Sequence, residues 1–344
     1  MAANGGKTPQ IHFEHHLLRA RDWQHRPEFD QLCEWWKAGG AGVCALVGIG
    51  GAGKTAIAER FLRVTPGVLP QAKDIPKDDS LPTPERLFVF SFYDVPNPDS
   101  FFGILQACLQ NRPYDESAKL PSYHQVLIEL EKAGNCLLVL DGLEKVQDDG
   151  ARGGVFGQIQ DKRLSDLVLR LAEGYMPGVR AIITTRFAIA ELEERIPPHY
   201  SFIPIEEISE ETGIKLLRKR GVTGPNTELA RLVRECGRHA FSVDLVGGYI
   251  AELGGDPNLQ LGTGKELEKA VAKERDPRRR HVKWQEFKFA RIAERYRERL
   301  KDKDPALLAL LERICLFRLG VDADTLASIF LGREKTAISG RTLA

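Results

Sequence analysis

The sequence predicts an α/β protein with a parallel sheet at its front and helical modules behind it. Five short apolar runs, VCALVG (43–48), RLFVFSFYD (86–94), CLLVLDGLE (136–144), RAIITTR (180–186) and SFIPI (201–205), alternate with segments of helical periodicity. Runs such as CLLVL lack a polar alternate face, which is the pattern of strands covered on both sides. After Ile205 these runs stop, and apolar residues recur only at helical spacing among charges. In such a sheet, ligands sit at the carboxyl ends of the strands.

Each element follows from local chemistry. Residues 1–15 read as a disordered start, and Phe29, Leu32, Trp35 and Trp36 recur at helical spacing, predicting a helix from about Leu17 to Trp36. A helix is expected over 54–63, and the five prolines and several charges of 65–85 predict a long exposed loop. Another helix is expected near 100–110. Ser122 and Gln125 form a capping-box pair opening SYHQVLIELEKAG, and Gly134 sits where a C-terminal cap belongs. Ser209 caps a helix with acids in its first turn, and TELARLVRECGRHAFSVDLVGGYIAELGG reads as two helices broken near Gly237. Residues 254–280 read as a linker, and Asp304 with Pro305 opens a helix through ALLALLERICLF that a short turn joins to DADTLASIF. There are no internal repeats. Four regions result: 1–40, a tail and linker helix; 41–205, the sheet domain; 206–290, a helical domain; and 291–344, a further helical module.

Composition narrows the class. Lys plus Arg number 49 against 48 Asp plus Glu, so the chain as a whole is no polycation seeking nucleic acid. The six cysteines show no paired spacing and mostly sit in apolar runs, predicting free thiols in a reducing compartment. No apolar run is long enough to span a membrane and no signal core opens the chain, so a cytoplasmic location is expected by elimination.

One loop carries chemistry. Gly48-Ile-Gly50-Gly51-Ala52-Gly53-Lys54-Thr55-Ala56 lies between the strand 43–48 and the helix 54–63 and fits G-x-x-x-x-G-K-[ST]. Backbone N–H groups at a helix N-terminus can surround phosphates where no Cβ intervenes, and glycine supplies both the angles and the close approach. Lys54 would reach the β- and γ-phosphates of ATP, or the β-phosphate of ADP, and Thr55 would ligate Mg²⁺. Asp141 closes CLLVLD and is expected to hold the metal with Thr55. Glu144, three residues on, either polarises the attacking water or is a solvated glutamate at a helix start. In many hydrolysing P-loop enzymes an acid directly follows the aspartate; here Gly142 stands there, so slow hydrolysis is expected. Arg186, ending IITTR, is placed to detect a γ-phosphate.

These pieces, in this order, resemble the signal-transducing P-loop ATPases with numerous domains (STAND), and within them the NB-ARC type. GIGGAGKTAIA resembles their Walker A segment, LLVLDGLEKVQ the Walker B of bacterial members, AIITTR the sensor strand and IPIEEISEETGIKLLRKRG the opening of the helical lid. CGRHAFSVDLVGGYI aligns with the family's G-x-P segment, whose adenine-facing proline falls on Ala240. RPEFDQLCEWW resembles the family's linker, which places Arg26 near the base, and DPALLALLERICLFRLGVDADTLASIF resembles the opening of a winged helix. The resemblance implies an additional-strand (ASCE) P-loop domain over 41–205, a lid over 206–290 and a partial winged helix over 291–344. It further implies a switch that rests with ADP, oligomerises on exchange for ATP and resets by slow hydrolysis, in defence or cell-death-like signalling. Effector and sensor domains would belong to a longer protein.

Two other classes compete. Between Lys273 and Lys301 twelve Lys and Arg face five Asp and Glu, which would suit a DNA-binding regulator. The opposite charges are interleaved and no base-reading helix is evident, so a solvated face is preferred. A small-molecule kinase fits the fold but lacks an acceptor-binding constellation.

Overall fold

The computed structural model describes residues 9–19, 22–117, 119–150, 153–252 and a few single positions between 294 and 309. One compact unit ends at Glu206 and a second begins at Glu207. In the first, the strands are β1 (Gln10–Phe13), β2 (Gly42–Val47), β3 (Arg86–Ser91), β4 (Cys136–Asp141), β5 (Val179–Thr185) and β6 (Tyr200–Pro204). They form one sheet in the order β1-β3-β4-β5-β2-β6, with every pairing parallel. The helices of this unit are α1 (Pro27–Ala38), α2 (Lys54–Val64), α3 (Pro98–Leu109), α4 (Tyr123–Glu131), α5 (Lys162–Ala172) and α6 (Ala190–Arg195).

The pleat distributes the strand residues between two cores. Val43, Ala45, Phe88, Phe90, Leu138, Leu140, Ala181 and Ile183 point to one face, where residues of α3 to α6 close over them. Cys44, Leu46, Leu87, Val89, Leu137, Val139 and Ile182 point to the other, packed against α1 and α2. Every residue of β2, β4 and β5 is buried, as unbroken apolar runs require, whereas the edge strands β1 and β6 are partly exposed.

Three sequence expectations are corrected. Residues 10–13, expected within a disordered start, pair with the outer edge of β3 from Gln10↔Arg86 to Phe13↔Val89, and the His12 ring stacks on Phe88. Four residues of mixed polarity carry no periodic signal, and the partner edge 76 residues away supplies the stability. The helix expected from Leu17 starts at Pro27, because Arg26 is extended and proline suits a first helical turn. The segment 65–85 is not simply exposed: Val68, Ile75 and Leu81 are buried against the α1/α2 core, and Lys77 Nζ donates to the carbonyls of Arg63, Thr65 and Leu69 at the end of α2. Helices α5, with Asp161 as its cap, and α6 add to those expected.

The second unit contains α7 (Glu210–Lys219), α8 (Asn226–Glu235) and α9 (Ala240–Glu252) around Leu216, Leu217, Leu229, Leu232, Val233 and Val246. Ser209 caps α7 through Thr212 N, and left-handed Gly237 and Arg238 break α8 from α9. The linker at 254–280 and the basic segment 273–301 lie outside the described residues but for single positions, as does the module at 291–344. Among the described residues no helix is long and apolar enough to cross a membrane.

Candidate functional site

The carboxyl ends of β2, β4 and β5 converge under the glycine loop. Topology does this: β5 lies between the strand that feeds the loop and the strand that ends in Asp141. Gly51 and Gly53 have φ of 79° and 101°, the left-handed region where a side chain is strained. Gly48 has no room for a Cβ, which would meet the Ile205 carbonyl, and a Cβ on Gly50 would stand 3.0 Å from Arg186 Nη2. Bare backbone is thus required at Gly48, Gly51 and Gly53, while at Gly50 it leaves room for the Arg186 guanidinium. Helix α2 starts on Gly53 with no side-chain cap and no acid in its first turn, leaving its leading amides to an anion.

Lys54 is buried, and its Nζ donates to the carbonyls of Gly48 at 2.6 Å and Ile49 at 2.9 Å. Burial lowers its pKa to about 8, with Glu144 acting in the opposite sense. Thr55 Oγ1 and Thr184 Oγ1 each donate to Asp141 Oδ1 at 2.7 Å, and Gly142 N donates to Thr184 Oγ1 at 2.9 Å. Burial raises the Asp141 carboxyl above its usual range, opposed by the two threonine hydroxyls. Ala56 follows in the first turn of α2, half-buried.

Glu144 is no solvated glutamate. It stands on a 3-10 turn, Leu143–Lys145, with its side chain 5% exposed. Its Oε1 accepts from the Tyr93 hydroxyl and lies 3.1 Å from Arg186 Nε, while Oε2 is buried without a hydrogen-bond partner. Arg186 thereby joins the loop over Gly50 to the turn after β4. Arg26 is buried: Nη1 donates to the Ala52 carbonyl at 2.6 Å, Nη2 to the Glu206 carbonyl at 3.1 Å, and Glu28 pairs with its other face. Its head therefore braces the glycine loop from behind. Ala240 opens α9 in the second unit, packed against that unit's own core.

The donor set suits Mg²⁺. Thr55 and Asp141 present hard oxygens side by side at the mouth of the loop, as an ion sharing its shell with phosphates and water needs. Among the described residues no cluster of three His, Cys, Asp or Glu stands as an alternative metal cage. Sequence reasoning missed Tyr93 and the part played by Thr184. The hydroxyl of TTR was a visible signal for the second; nothing in the sequence near Tyr93 announces its contact 51 residues away.

A strand–glycine loop–helix unit, with an aspartate ending the strand beyond an inserted one, is the architecture of the P-loop fold of the additional-strand type. No protein-family model and no curated protein matches the chain. Among solved structures it is similar to a Signal Transduction ATPase with Numerous Domains (STAND) protein with a tetratricopeptide repeat sensor from Pyrococcus horikoshii, at 13% identity and a TM-score of 0.45 over 75% of this chain. It spans only 34% of that protein's length. It is also similar to the Walker-type ATPase of Pyrococcus abyssi, at 14% identity and a TM-score of 0.46, covering 95% of this chain and 87% of that one.

Proposed function

We propose that this chain is an ATP- and ADP-binding switch module of the STAND class, with NB-ARC character and slow ATP hydrolysis. The observation that carries this reading is the convergence of Lys54, Thr55, Asp141, Glu144 and Arg186 beside a loop whose positions 48, 51 and 53 admit only glycine. Lys54 and the amides of Gly51 to Thr55 hold the β- and γ-phosphates, and Arg26 fixes the loop through Ala52. Thr55 and Asp141 hold Mg²⁺, which when bound neutralises phosphate charge. Glu144 takes the proton of the attacking water, and Arg186, already poised over Gly50, senses the γ-phosphate.

A switch needs two states that nucleotide binds unequally. In this reading ADP favours a closed resting arrangement with Ala240 near the base. ATP favours an open one that homo-oligomerises, in the cytoplasm and in concert with effector and sensor domains of a longer protein. Isolation of the full chain, denaturation and mass analysis of the released small molecules tests the resting state. Bound ADP is expected; a chain that carries no nucleotide and takes up none would overturn the reading.

A further inference from the structure

We propose that Tyr93 is the positioning residue of the hydrolytic base: its hydroxyl, together with Arg186, occupies Glu144 Oε1 and leaves Oε2 to receive the proton of the attacking water. This rests on the assignment of Glu144 given above. The two oxygens of Glu144 are unequal. Oε1 carries both neighbours, and Oε2 is buried with no hydrogen-bond partner. A buried carboxylate oxygen left unsatisfied costs free energy unless a ligand or water completes it.

Tyr93 also accounts for the place of the acid in the chain. Its ring lies on Gly142, where a Cβ would stand 2.5 Å from the ring's Cδ2, and Gly142 has a φ of 76°. The position directly after Asp141 therefore admits no side chain, a glutamate included. The 3-10 turn carries the next acid, Glu144, back under the tyrosine hydroxyl. Lys145 Nζ stands 5.3 Å from the centre of the same ring, a cation–π contact that helps hold it. Tyr93 N donates to Ser91 Oγ at 3.3 Å, and Phe92 N to the Asp141 carbonyl at 2.8 Å, so the turn bearing the ring is tied to β4.

The charged groups around Glu144 are Arg186 after β5, Lys54 at the start of α2 and Asp141 at the end of β4. Burial and the neighbouring carboxylate push the Tyr93 phenol well above its ordinary value, so it remains a donor across the working range. In the step, a water proton passes to Oε2 while the water oxygen bonds to the γ-phosphorus. The bond from that phosphorus to the β–γ bridging oxygen breaks, and its electron pair leaves with ADP; the proton later returns to solvent.

Single-turnover phosphate release from MgATP, measured for the full chain, Y93F, E144Q and the double variant, tests the proposal. Y93F keeps the ring over Gly142 and removes only the hydroxyl. Its nucleotide affinity is expected to stay at the wild-type value while the rate falls on the order of tenfold, part of what a placed base contributes. A loss confined to the rate, with nucleotide affinity kept, separates positioning of the base from general damage to the site. Y93F should add nothing in the E144Q background. A slow E144Q beside a Y93F of wild-type rate overturns the positioning role alone. An E144Q that turns over at the wild-type rate overturns the assignment of the base, and this proposal with it.

Discussion

Lys54 donates to two carbonyls of its own loop from a buried site, so its charge is costly until phosphate arrives. Lys54→Ala should weaken ATP and ADP binding by about a hundredfold or more, since contacts to charged groups contribute about 1.5–3 kcal/mol each. Its melting temperature should stay near that of the parent, because the lost carbonyl contacts are offset by removing a buried charge; calorimetric titration and a thermal melt check both. Thr184→Val should cost about 1–3 kcal/mol in denaturant unfolding, because Asp141 loses a donor and Gly142 N its acceptor. Lys54, Thr55 and Asp141 were legible because the motif fixes them by spacing and by the end of an apolar run. The surroundings of Glu144 were not. They depend on Tyr93 and Arg186, which lie on separate strand exits that only the sheet order brings together. Arg26, which the resemblance places near the base, holds the Ala52 carbonyl from the extended residue ahead of α1, a contact its position in the sequence does not announce.

At the scale of elements, Gly142→Ala should destabilise the turn after β4 by about 1–2 kcal/mol for the left-handed backbone alone, with the Tyr93 contact adding to it. Leu167→Ala in α5, whose side chain is fully buried in the larger core, should cost about 2–5 kcal/mol in the same unfolding measurement. A Leu167→Ala loss below about 0.5 kcal/mol would mean that α5 does not close that face of the sheet. The central strands were readable because burial on both faces leaves an unbroken apolar run. Strand β1 was not, because a short edge strand needs only a free neighbour, here the outer side of β3. The buried positions of 65–85 were masked by five prolines that mark a loop but say nothing of whether it packs.

At the scale of the molecule, each compact unit has its own core among the described residues: the buried clusters of the first reach no further than Ile205, and that of the second begins at Ile208. Residues 1–206 alone should therefore fold cooperatively and retain phosphate binding, which a thermal melt with and without MgADP would show as a shift. The buried thiols make a second prediction. Burial raises Cys33, Cys136 and Cys236 to about 12 and Cys108 to about 11, so at pH 8 almost no thiolate exists among them. A thiol reagent should label the buried Cys33, Cys136 and Cys236 only after denaturant is added; fast labelling of these in the native state would contradict the packing. The central claim is that the glycine loop clasps phosphates through Lys54. Titration of the nucleotide-stripped full chain with MgATP, beside Lys54→Ala under the same conditions, tests it most directly. Saturable one-to-one binding that vanishes in the variant is the predicted result; no binding by the parent, or equal binding by both, would contradict it.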